Sequence, residues 1–120
     1  MKSFFSVLFF ALVITACSQS KSKHITEFSQ NDIKNALLVD VRTSEEYGLG
    51  HLENSKNVNV LNDSFVSYFD SIPKTKTIYV YCKSGGRSAK AAAKLTELGY
   101  NAINLEGGYD AVKEKNTAKK

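Results

Sequence analysis

The chain has little cysteine, little arginine, no internal repeat and no apolar run long enough to cross a bilayer, and each shortage excludes something. Neither Cys17 nor Cys82 has a neighbour at metal-ligand spacing, so a structural zinc site is not expected. A Cys17–Cys82 disulfide is arithmetically open in an oxidising compartment, but the local sequence gives each cysteine a better use. Of 16 basic residues only Arg42 and Arg87 are arginines. The lysines are scattered rather than gathered with aromatics on one face, which argues against a nucleic-acid partner. The net charge of +4 then reads as solubility with a preference for small anions. No long polar tract marks the body as disordered, and 42% hydrophobic against 23% charged residues is the balance of a globular domain.

The N-terminal residues have their own pattern. Lys2 gives a positive start, Phe4 to Ile14 an apolar stretch, and Thr15 and Ala16 small residues before Cys17. That is the pattern of an export signal, too short for a span that takes about 20 apolar residues. Ile14-Thr15-Ala16-Cys17 resembles the lipobox of bacterial lipoproteins, which implies cleavage before Cys17 and a diacylglycerol on its thiol. Residues 1–16 are then a lipoprotein signal peptide, and 17–24 the lipidated cysteine with a polar, flexible tether. The expected location is the bacterial cell envelope, exported and held at a membrane on its extracytoplasmic or periplasmic side.

About 100 residues of the 120 remain, room for one domain over 25–115 and a polar tail over 116–120. Strand and helix patterns alternate, predicting an α/β fold with a mainly parallel central sheet. Ser29 caps a brief helix through Lys34, and Leu37 to Val41 is an apolar run suited to a buried strand. Thr43 and Glu46 stand three apart as a capping box. Val58 and Val60 fit a short strand, and Phe65, Val66 and Phe69 one helix face before Pro73. Thr77 to Tyr81 is β-branched and aromatic throughout, Arg87 to Leu98 is an alanine-rich helix closed by Gly99, and Ala102 to Leu105 is a further strand. Gly107-Gly108 leads into a last helix.

The chemistry concentrates on residues 82–88. Cys82 falls at the carboxyl end of a strand with a helix just after it, where ligands of open α/β sheets gather. The amides of Lys83 to Ser88 are unpaired at such a helix start, the helix dipole adds partial positive charge, and Gly85 and Gly86 permit the curvature that turns N–H groups inward. A thiolate there is stabilised, so the Cys82 thiol is expected below its free pKa of about 8.5, with Lys83 and Arg87 reinforcing. Asp40 and Arg42, at another strand end, read as a supporting ion pair, Glu46 as a cap or pair, and His51 as a structural histidine.

Cys82-Lys83-Ser84-Gly85-Gly86-Arg87-Ser88 resembles the active-site loop of the rhodanese family. Leu38-Val39-Asp40-Val41-Arg42, Glu46-Tyr47, Gly50-His51-Leu52 and Leu105-Glu106-Gly107-Gly108 resemble its other signatures, in order and spacing. Where the family often has proline and tryptophan, this chain has Asn59 and Val112, which read as packing positions. The resemblance implies a three-layer fold and a single-domain thiosulfate sulfurtransferase. A small sulfur-containing anion such as thiosulfate gives its outer sulfur to Cys82, and a thiol or cyanide acceptor takes it. Lys83, Ser84, Gly85, Gly86, Arg87 and Ser88 form the substrate cradle, with no metal or cofactor, in a protein expected to act as a monomer. One rival is a phosphatase or arsenate reductase, but those enzymes have five residues between cysteine and arginine and Lys83 to Gly86 are four. Another is a rhodanese-like module that binds or carries sulfur without turnover.

Overall fold

The computed structural model describes residues 20–118. The signal segment, Cys17 and the final two lysines lie outside the described residues. Five strands, β1 (Lys21–His24), β2 (Ala36–Asp40), β3 (Lys56–Asn57), β4 (Thr77–Tyr81) and β5 (Asn101–Glu106), form one sheet. Its order is β1-β5-β4-β2-β3 and every pairing is parallel. All five carboxyl ends therefore share one edge, the edge at which such sheets hold their ligands.

The central strands read as near-continuous apolar runs because both faces are covered. On one face Val39, Val41, Ile78, Val80 and Ala102 pack under α2 (Phe65–Tyr68) and α3 (Gly86–Glu97), meeting Phe65, Phe69, Ala91, Ala92 and Leu95. On the other, Leu38, Tyr81 and Leu105 pack with Ile25 against Tyr109 and Val112 of α4 (Gly108–Ala118). Two alanines on α3 let its backbone approach the sheet closely. The α3 helix stops at Gly99, whose φ of +93° suits glycine, with Tyr100 N–H donating back to the Leu95 carbonyl at 3.0 Å. The short α1 (Ser44–Gly48) begins with the expected capping box, Thr43 Oγ1 accepting from Glu46 N–H at 3.2 Å.

The architecture is the expected three-layer α/β fold, with corrections at four elements. Lys21–His24, assigned from sequence to the tether, is the edge strand β1, in register from Lys21 opposite Ile103 to His24 opposite Glu106. It is polar, so it shows no apolar alternation; backbone pairing holds it, with Lys21 Nζ donating to Asn101 Oδ1 at 3.2 Å and Lys23 paired with Asp32. The strand placed at Val58 and Val60 is instead Lys56–Asn57, although Val58 and Val60 continue the ladder by donating to the carbonyls of Asp40 (2.9 Å) and Val41 (3.1 Å). The helix expected after Ser29 is a single 3₁₀ turn, Gln30–Ile33, with Asp32 accepting from Ser29 N–H. Helix α4 runs through residues 116–118, which the sequence pattern gives to the tail.

Candidate functional site

Strand β4 ends at Tyr81 and the chain turns through Cys82 to Gly85 into α3. Cys82 is 1% exposed, its sulfur under the turn it begins. Gly85 N–H donates to Sγ at 3.0 Å and Ser88 Oγ lies 3.4 Å from it. Ser88 Oγ is also 3.1 Å from the Gly85 carbonyl, so its one proton serves the stronger acceptor, and a thiolate is the stronger. Burial pushes the Cys82 thiol up, but the Ser88 hydroxyl and the amides of Ser88, Gly85 and Ser84 outweigh it, and the net displacement is downward. Gly85 holds a φ of +115°, where a side chain is strained; Gly86 has an ordinary φ and open space where a Cβ would sit. The curvature assigned to both glycines belongs to Gly85.

The turn is held from behind by α4. Tyr109 N–H donates to the Cys82 carbonyl at 2.8 Å and Asp110 N–H to the Lys83 carbonyl at 3.0 Å. Two of the amides left free at that helix start are thus spent on the cysteine turn. Gly107 and Gly108, with φ of +87° and +61°, make this approach possible; a Cβ on Gly108 would collide with the Lys83 carbonyl. Sequence patterning found the glycine pair as a helix lead-in and missed its role as a buttress, because the contact joins segments far apart in the chain.

Three cations at the site, Arg87, Lys83 and Arg42, have acid partners. Arg87 makes a two-pronged pair with Glu46, at 2.6 and 2.9 Å. The guanidinium bonds to Glu46 outweigh its partial burial and hold its carboxyl down to about 2. Lys83 Nζ lies 2.9 Å from Asp110 on the exposed rim. Arg42 and Asp40 form the expected pair, both buried, with Nη2–Oδ2 at 2.7 Å. Arg42 also donates to the Gly50 carbonyl at 2.7 Å and lies 4.7 Å from the Tyr109 ring centre, joining the end of β2, the Gly50 turn and α4. The structure therefore brings Cys82 to Ser88, Asp40 and Arg42 to one sheet edge, with the amides and Ser88 hydrogen-bonded to the sulfur and Arg87 interacting with it through charge. Glu46 is both cap and ion-pair partner; the capping box was its sequence signal. His51 stacks on Tyr47 at 3.6 Å, with its Nδ1 2.8 Å from the Tyr47 carbonyl. Among the described residues no group of three acids, histidines or cysteines could hold a metal ion. A cleft of about 420 Å³, bounded by Glu46, Leu49, Lys83 and Tyr109, opens beside the turn.

Relatives of this chain include a protein named sulfurtransferase from Allochromatium vinosum, 35% identical over 78 residues, covering 64% of this chain and 71% of the relative. Another is the mitochondrial protein HIGH ARSENIC CONTENT 1 of Arabidopsis thaliana, 34% identical over 84 residues, covering 61% of this chain and 50% of that protein. This chain thus spans only half of the Arabidopsis relative. Among solved structures, a rhodanese-like domain protein from Staphylococcus aureus superposes with a TM-score of 0.64 at 33% identity, covering 73% of this chain and 86% of that one. Residues 24–115 match the rhodanese-like domain itself, and the chain belongs to that family.

Proposed function

We propose that this protein is a sulfurtransferase that carries sulfur as a persulfide on Cys82. The observation that carries the reading is the sulfur's setting: Sγ accepts from Gly85 N–H at 3.0 Å, has Ser88 Oγ at 3.4 Å, and sits in a turn whose hydrogen bonds favour the thiolate. A relative that bears the name sulfurtransferase supports it. In the first step the thiolate attacks the outer sulfur of thiosulfate or a similar donor; the donor S–S bond breaks and sulfite leaves with its electron pair. In the second, a thiolate or cyanide attacks the outer sulfur of the persulfide and frees Cys82. Charge moves from one sulfur to the next, and amides already aimed at that position stabilise it without reorganising. The buried Asp40–Arg42 pair positions the Gly50 turn and α4.

The lipobox-like residues before Cys17 support a second part of the proposal, that a lipid on Cys17 holds the domain at the outer side of a bacterial membrane. The test of the chemistry is mass spectrometry of the full chain after exposure to thiosulfate. Gain of one sulfur on Cys82, absent from Cys82→Ser, is the expected result; an unmodified Cys82 under several sulfur donors would overturn the reading. Hydrolysis of an aryl phosphate is expected to be undetectable beside sulfur transfer.

A further inference from the structure

The cations around the cysteine turn are matched almost one for one by acids. Arg42 pairs with Asp40, Arg87 with Glu46 and Lys83 with Asp110, leaving only Lys113 of the cleft's basic residues without an ion-pair partner among the described residues. Attack of a thiolate on thiosulfate brings three negative charges together, two from the donor and one from Cys82. A site built for that dianion is expected to present unpaired guanidinium or ammonium groups. Here Arg87 has both prongs on Glu46, at 2.6 and 2.9 Å, with each side chain less than one-third exposed. A dianion must displace the carboxylate or approach beside it.

The cleft also has room and apolar surface that a small inorganic anion would not use. Its volume of about 420 Å³ lies in the range of organic-ligand pockets, and Leu49, 92% exposed, stands at its rim with the Tyr109 ring. We infer that Glu46 sets the donor class of Cys82: by occupying Arg87 it selects a persulfide borne on a small organic thiol over a dianionic inorganic donor. This rests on the sulfurtransferase reading and narrows its substrate. The step is balanced without a further reactant. The Cys82 thiolate attacks the outer sulfur of the organic persulfide, the donor S–S bond breaks, and the parent thiol leaves with the electron pair and the donor's proton. Lys113 at the rim, without an ion-pair partner among the described residues, suits a carboxylate on the organic portion.

The test compares kcat/KM of the full chain for thiosulfate and for glutathione persulfide, with cyanide as acceptor, in wild type, Glu46→Gln and Glu46→Asp. Gln retains an oxygen to accept from Thr43 N–H, so the α1 cap survives while the charge is removed. Wild type is expected to favour the organic persulfide, and Glu46→Gln to raise the ratio of kcat/KM for thiosulfate to that for the organic donor roughly tenfold. Glu46→Asp, which keeps the charge, is expected to retain the wild-type ratio. A ratio unmoved in Glu46→Gln, or a wild-type preference for thiosulfate, would overturn the role given to Glu46 while Cys82 still acquires sulfur. Failure of either donor to sulfurate Cys82 would overturn the sulfurtransferase reading and this inference with it.

Discussion

Replacing Gly108 by alanine tests whether α4 holds the cysteine turn. The residue has a φ of +61°, which costs a side chain about 1–2 kcal/mol, and its Cβ would fall against the carbonyls of Lys83 and Cys82. Relief requires α4 to draw back, which forfeits the bonds from Tyr109 N–H to the Cys82 carbonyl and from Asp110 N–H to the Lys83 carbonyl. Each contributes about 1 kcal/mol, so the total loss is about 3–5 kcal/mol once some strain remains. For a domain of this size that is a fall of about 15–30 °C in Tm, read by thermal or urea unfolding monitored by circular dichroism. Gly86→Ala is the control, since its φ is ordinary and nothing lies within 4 Å of the added carbon. It is expected to be neutral or to stabilise α3 by about 0.5–1 kcal/mol. A Gly108→Ala protein melting within about 3 °C of wild type, or equal losses from the two alanines, would refute the buttress argument.

Two further substitutions probe the ion pairs. Asp40→Asn leaves the Arg42 guanidinium buried without its counter-charge, and a loss of about 3–5 kcal/mol in urea unfolding is expected; less than about 1 kcal/mol would show that the pair is not structural. Glu46 has a folded-state pKa of about 2 against an ordinary 4.5, so its ionised form stabilises the fold above about pH 4.5 and that contribution drains away as pH falls toward 2. Glu46→Gln should flatten the stability profile over that window, and an unchanged slope would contradict the pairing.

The parts of the fold legible in the sequence are those that advertise themselves locally. Thr77 to Tyr81 is β-branched and aromatic and is strand β4 residue for residue, and the Thr43–Glu46 spacing is the cap that opens α1. The burial of β2 on both faces showed as an unbroken apolar run. What stayed hidden depends on partners distant in the chain. Lys21 to His24 become a strand only because β5 offers an open parallel edge, and no pattern in four polar residues announces that. The cysteine turn was legible from its glycines and from the helix after it, whereas the acid partners of Lys83 and Arg87 were not. Their pairing with Asp110 and Glu46 follows from tertiary placement of α4 and α1, which local spacing does not contain.

The lowering of the Cys82 thiol's pKa by inward-facing amides and Ser88, against the opposing effect of burial, is the central physical claim. It is tested most directly by the pH dependence of Cys82 alkylation with iodoacetamide, taken as the difference between wild type and Cys82→Ser. The midpoint should fall below that of a free cysteine, about 8.5, and Ser88→Ala should move it upward. A midpoint at or above the free value in the wild-type protein would contradict the claim.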